Sequence, residues 1–324
     1  MTPEEVEELS SAGLGFFINV ASSIFLFTLL GIYSLAYCIS LYIYFKTEGS
    51  IGNAKKAMIC VLLVNFILML IYLVISVSET LEFVKYGSVV TLPGGIVEQI
   101  VAVKAKSQAT VYKNVCAWSS NVTQLVIADT VIVWRAWAVW IDNTKVKWTL
   151  FLLMLADIAA WLADGIAIDI EGFLAVSDQL IQTISLDWVV ILLSLSVNMI
   201  ATCSIAFRAW FHHKSMNSIS IRRKKTKGEQ ILLLLVESGA IYMLVQLFAV
   251  IISALNVNAP LASAIYFVRT LGAQLYLFAA ILNPVAIFIL LQTQNTYDQS
   301  FHLEEIPTLS LALSQQAQSQ QVSS

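Results

Sequence analysis

The segment AMICVLLVNFILMLIYLVISV (57–77) decides the fold. It carries no charged residue, and its one amide side chain is Asn65. A helix rising 1.5 Å per residue needs about 20 mostly apolar residues to cross the hydrocarbon core of a bilayer. This run has that length and is bracketed by charge, with Lys55 and Lys56 before it and Glu79 and Glu82 after it. It reads as a transmembrane helix.

Working outward, six more segments read the same way: 14–45, 115–140, 148–168, 188–211, 231–255 and 261–291. The first is longer than a bilayer requires, which predicts tilt or extension beyond it. The third has the least defined start, because Ser, Asn and Gln dilute its first turns. The expected fold is therefore an all-α, polytopic membrane protein, a seven-transmembrane-helix bundle. Composition agrees. Hydrophobic residues make up 58% of the 324 and charged residues only 12%, against about 25% charged in a soluble domain. A soluble fold so poor in polar groups could not cover its surface.

Orientation follows from Lys and Arg in the short loops. Lys46, Lys55 and Lys56 flank the first loop; Lys145 and Lys147 lie in the third; Arg208, Lys214, Arg222, Arg223, Lys224, Lys225 and Lys227 lie in or beside the fifth. The opposite side is acidic, with Glu4, Glu5, Glu7, Glu8, Glu79, Glu82, Glu98, Asp169, Glu171, Asp178 and Asp187, opposed only by Lys85, Lys104, Lys106 and Lys113. The expectation is an N-terminus outside and a C-terminus in the cytoplasm, in a multi-pass protein of the plasma membrane. Three regions follow: a short acidic extracellular N-terminus (1–13), the seven-helix domain (14–291) and a polar, disordered cytoplasmic tail (292–324). The N-terminus lacks the positive region of a secretory signal, so the first helix reads as a retained anchor. The long second loop holds TLPGG (91–95), a turn signal.

Ionisable groups within a span are costly and mark function by default. They are Asp129 on the third helix, Asp157 and Asp164 on the fourth, Glu237 on the sixth and Arg269 on the seventh. Helical phase puts Asp157, Trp161 and Asp164 on one face, and Arg269, Tyr276 and Asn283 on another. Glu237 and Gln246 point in opposite directions. These groups are candidates for a ligand pocket or a buried polar network. Arg269 needs a carboxylate; Asp129, Asp164 and Glu237 are the choices, with Asp129 and Glu237 preferred. The competing reading is purely structural pairing between helices.

Asn283–Pro284 reads as a hinge, since Pro284 removes a backbone bond; the competing reading is a plain irregularity of the helix, since Pro is frequent in membrane spans. Asn65 lies at a depth from which it could hydrogen-bond Asn283. At the end of the third helix, Trp134, Trp137 and Trp140 form an interfacial belt. Arg135 among them could reach lipid phosphate or a cytoplasmic partner. The basic run Arg222, Arg223, Lys224 and Lys225 suits anionic lipid or an acidic partner, and is too short to suggest nucleic acid.

Several classes are excluded. His212, His213 and His302 all fall in the fifth loop or the tail, so no buried histidine zinc site is expected. Cys38, Cys60, Cys116 and Cys203 form no ligand spacing. The seventh helix has no lysine for a retinal Schiff base, and no phosphate-binding glycine loop or nucleophile elbow occurs. No catalytic residue, metal or cofactor is expected, and the protein does not read as an enzyme.

The segments ADTVIVWRAWAVW (128–140), LLVESGAIYMLVQL (234–247) and NPVAIFILLQ (283–292) resemble a seven-helix membrane family of mushroom-forming (basidiomycete) fungi. The resemblance covers most of the chain except the tail. It implies a receptor-like bundle and supplies setting more than activity. Similarity to G-protein-coupled receptors in general is looser. Asn283 and Pro284 match the start of an Asn-Pro-x-x-Tyr motif, but Ile287 stands where Tyr belongs, and Arg135 lacks the Asp/Glu-Arg-Tyr context. The leading expectation is a receptor coupling an unknown ligand to a cytoplasmic partner, with a G protein as the candidate, through the third and fifth loops. The alternatives are a small solute or ion transporter or channel, and a non-catalytic scaffold or lipid-binding protein.

Overall fold

The computed structural model describes residues 3–46, 53–85, 117–140, 143–175, 187–217, 227–256 and 263–322. These form seven long α-helices: α1 (Pro3–Lys46), α2 (Asn53–Val84), α3 (Leu125–Val139), α4 (Thr144–Ala175), α5 (Asp187–Asn217), α6 (Lys227–Asn256) and α7 (Ala264–Val322). Six of them contain a stretch long and apolar enough to cross a membrane, and the seventh such stretch, Val122–Val139, joins α3 to the last residues of the helical turn before it. TLPGG (91–95), Cys116 and the basic run 222–225 lie outside the described residues.

The helices pack as a ring of neighbours around α3. α1 touches α2 and α7; α4 touches α5; α5 touches α6; α6 touches α7. α3 reaches α4, α5 and α7. Its central position explains why burial extends around most of its circumference, taking in Leu125, Ala128, Asp129, Ile132, Arg135 and Ala136. The other helices bury one stripe each. On α4 this is Leu150, Met154, Asp157, Trp161 and Asp164, spaced three and four apart as one helical face requires. Outward positions carry Phe27, Leu35, Leu155, Ile241 and Leu244 among many others, all exposed in the isolated chain. In water such a surface would aggregate; lipid tails cover it.

Three differences from the sequence expectation are structural. The third span does not begin as an α-helix: Ala117–Gln124 is π-helical, and the Thr123 hydroxyl donates to the Trp118 carbonyl, five residues back, at 2.6 Å. The second is at the C-terminus. The polar segment after Gln292, expected to be disordered, continues α7 to Val322. Its Gln, Leu, Ala and Glu residues are good helix formers. The N-terminal residues from Pro3 likewise belong to α1.

Close helix approach depends on two glycines. A Cβ on Gly165 would meet Val122 at 3.1 Å and Trp118 at 3.2 Å, so α4 lies tight against the π-helical segment. A Cβ on Gly239 would fall on the Thr202 side chain, where α6 crosses α5. Gly239→Ala gains about 1 kcal/mol of helix propensity but overpacks the contact by about 1–3 kcal/mol. Gly31 on α1 has nothing within 4 Å of its would-be Cβ. Thermal unfolding of purified protein should therefore show a lowered Tm for Gly239→Ala and an unchanged or raised Tm for Gly31→Ala.

Candidate functional site

The centre of the bundle is polar. Ser194 on α5 is fully buried. Its hydroxyl donates to Asp129 Oδ2 on α3 at 2.6 Å. It accepts from Gln246 Nε2 on α6 at 2.9 Å and from the Tyr276 hydroxyl on α7 at 3.3 Å. One donor and two lone pairs are thus all used, and four helices meet on one side chain.

The network continues along α5 through residues spaced four apart. Asn198 donates to Gln246 Oε1 at 2.9 Å and to the Gly239 carbonyl at 3.3 Å. Thr202 donates to Asn198 Oδ1 at 3.2 Å. Ser194, Asn198 and Thr202 form a ladder spanning about 12 Å of helix at 1.5 Å per residue. Next to Gly239, Ser238 accepts from Arg135 Nη1 at 3.1 Å and donates to the Leu235 carbonyl at 3.1 Å. The ladder therefore ends beside a contact between α3 and α6.

At the other end of the ladder lies a cavity of about 140 Å³. It is lined from α3, α4, α5, α6 and α7, with Trp161, Asp164, Arg269 and Tyr276 as its polar and aromatic wall and Leu125, Ile191, Ala249 and Leu277 among its apolar one. Its volume is close to the ~150 Å³ of an engineered cavity that admits benzene. Tyr276 belongs to both features: its side chain lines the cavity and its hydroxyl bonds Ser194.

The sequence candidates distribute as follows. Asp157, Trp161 and Asp164 all face the interior. Asp157 lies next to Asp129, and the two carboxyls interact electrostatically. Neither of the two partners preferred for Arg269 meets it. Asp129 is engaged by Ser194 and Asp157, deeper in the bundle, and Glu237 is exposed on the outer face of α6, turned away from buried Gln246. Asp164, the third choice, shares the cavity wall with Arg269.

The Asn65–Asn283 bond is absent. Both residues are buried, but neither amide atom of Asn65 has a hydrogen-bond partner, nor has Asn283 Nδ2. α7 passes through Pro284 without interruption. Arg135 is not at the surface: it is 4% exposed, whereas Trp134 and Trp137 on either side take the outward positions. A residue one or two places along a helix is turned by 100° or 200°, so the tryptophans face lipid while the guanidinium turns to Ser238. The membrane-end aromatics have basic partners: Lys147 lies over Trp137, and Arg208 over Trp140, whose indole Nε1 donates to the Ser204 carbonyl at 3.1 Å.

The residues missed from sequence are Ser194, Asn198, Thr202 and Tyr242. The signal available was the i, i+4, i+8 polar spacing on α5, opposite Gln246 on α6. Among the described residues, no group of three His, Cys, Asp or Glu side chains could hold a metal.

No family model matches the chain, and no curated protein and no solved structure matches it. What it does must be read from its own geometry.

Gln246→Leu keeps the volume near constant but strips two hydrogen bonds and leaves Asn198 and Ser194 short of partners. Interhelical bonds in membranes average about 0.6 kcal/mol, and orphaned buried groups cost about 1–3 kcal/mol. The expected loss is about 1–3 kcal/mol, read as a lower Tm in detergent; Glu237→Gln on the exposed face should leave Tm unchanged.

Proposed function

We propose that this protein is a receptor-like, non-catalytic membrane protein that couples a small ligand in the Asp164–Arg269 cavity to a cytoplasmic partner. The observation that carries the reading is the continuous hydrogen-bond ladder from Tyr276, at the cavity floor, through Ser194, Gln246 and Asn198 to Gly239, beside the Arg135–Ser238 contact. A ligand that displaces Tyr276 changes the bonding of Ser194 and Gln246. α6 carries Gln246, Gly239 and Ser238, so a rotation of α6 at one end is felt at the other. Coupling of this kind needs two helix arrangements, and α6 is the moving element.

In this proposal the N-terminus is outside, the C-terminus is cytoplasmic and the membrane is the plasma membrane. Positively charged loops support that direction, as do the basic–aromatic pairs Lys46–Tyr42, Lys55–Tyr44, Lys147–Trp137 and Arg208–Trp140 near one set of helix ends. The partner, a G protein in the leading form of the proposal, would meet the third and fifth loops, where Arg222, Arg223, Lys224 and Lys225 offer positive charge. The fungal seven-helix family is the proposed kinship.

The test is basal GTPγS exchange on a heterotrimeric G protein, with the purified chain in nanodiscs. Ser238→Ala removes a charge-assisted bond of about 1.5 kcal/mol and should raise basal exchange about tenfold by freeing α6. Neutralising Arg222, Arg223, Lys224 and Lys225 together should reduce it. Absence of exchange, combined with solute flux in proteoliposomes that depends on Asp164 or Arg269, would replace the receptor with a transporter.

A further inference from the structure

The wall of the cavity carries two charges of opposite sign. Asp164 comes from α4 and Arg269 from α7, and among the described residues no other charged side chain lines it. Their formal charges cancel. A ligand with one net charge would leave the site charged, and an uncompensated charge away from water is costly. A ligand with no charge would draw little from either group. A desolvated ion pair is also weak evidence for stability, so holding the fold together does not account for placing both charges on a cavity.

The wall is divided by chemistry. Trp161 and Asp164 lie one helical turn apart on the buried face of α4, and both line the cavity. A carboxylate beside an indole ring suits an ammonium group, which the negative face of the ring attracts. Arg269 stands on a different helix, and a guanidinium matches a carboxylate with two N–H donors. Leu125, Ile191, Ile252 and Leu277, from α3, α5, α6 and α7, make the apolar part of the wall. The cavity, about 140 Å³, suits a ligand of about six to eight non-hydrogen atoms, since one of ~150 Å³ admits benzene.

We propose that the cavity recognises a small α-amino acid with an aliphatic side chain. Its ammonium meets Asp164 and the Trp161 ring, its carboxylate meets Arg269, and its side chain packs on Leu125, Ile191, Ile252 and Leu277. Each ligand charge then has its opposite, and the filled site stays neutral. An alkylamine or an alkyl carboxylic acid satisfies one charge and leaves the other. A linear ω-amino acid satisfies both but has no branch for the apolar wall. This assignment rests on reading the cavity as a ligand site; it does not depend on a G protein at the other end of the bundle.

The experiment is equilibrium binding of tritiated L-valine, L-alanine and L-leucine to the full purified chain in nanodiscs. Valine is then competed with isobutylamine, isovalerate and isobutanol, which carry only the ammonium, only the carboxylate and neither charge. Valine should bind saturably, and each analogue should compete about tenfold more weakly or worse, the cost of a lost charged hydrogen bond. Asp164→Asn and Arg269→Gln should each weaken valine by about tenfold or more. Glu237→Gln, on the exposed face of α6, should leave binding unchanged. The competition series uses the wild type, so it decides the matter even if a cavity variant does not fold. GTPγS exchange is read on the same preparations. Valine binding without exchange keeps the amino-acid site and removes the receptor; exchange driven by isobutylamine or isovalerate in place of valine keeps the receptor and overturns the amino-acid site. The proposal is also overturned by no saturable binding of any of the three amino acids, by an analogue that competes as well as valine, or by unchanged valine binding in folded Asp164→Asn and Arg269→Gln.

Discussion

The Ser194 hydroxyl is the constraint on which the rest of the interior depends. In lipid there is no water to satisfy a stray polar group, so each one inside the bundle must find protein partners or carry a large penalty. Ser194 donates to Asp129 and accepts from Gln246 and Tyr276. Those bonds set the rotation of α3, α6 and α7 relative to α5. Apolar packing alone would not do this, because lipid tails are as good a solvent for leucine as another helix is. The close crossing at Gly239 then lets the Asn198 amide reach a backbone carbonyl of α6.

From that node the molecule becomes asymmetric along its length. One end has a cavity walled by an acid, a base and two aromatic rings; the other has a buried guanidinium tied to a serine hydroxyl. The polar ladder between them is held by side-chain bonds, each weak enough to be exchanged. Mere intermediacy is not coupling. The proposed coupling rests on one element, α6, that carries a bond at each level: Gln246, Gly239 and Ser238.

The helices were legible in the sequence because length and hydropathy are local properties, as 57–77 shows. Phase was legible too: Asp157, Trp161 and Asp164 share the buried face of α4, and Tyr276 and Asn283 that of α7. What could not be read was which phase meets which. Charge and depth match Arg269 with Asp129 or Glu237, yet α3, α6 and α7 meet on Ser194, a residue that carries no charge. The flanking tryptophans put Arg135 within reach of lipid phosphate or a cytoplasmic partner; α3 is the central helix, and centrality is a tertiary fact. The π-helical start of the third span has a faint trace in its Ser, Asn and Gln residues, but its close approach to Gly165 through Trp118 and Val122 is a tertiary contact that no local pattern announces.

The central claim is that the Ser194 node controls the separation of α3 and α6 at the Arg135 end. Spin labels at Ala138 and Leu233, both exposed positions near that end, report the separation by double electron–electron resonance after the native cysteines are replaced. With the node intact, the labels should give one narrow distance distribution. Ser194→Ala should add or favour a longer separation as α6 is released. Superimposable distributions for a folded Ser194→Ala protein would contradict the account.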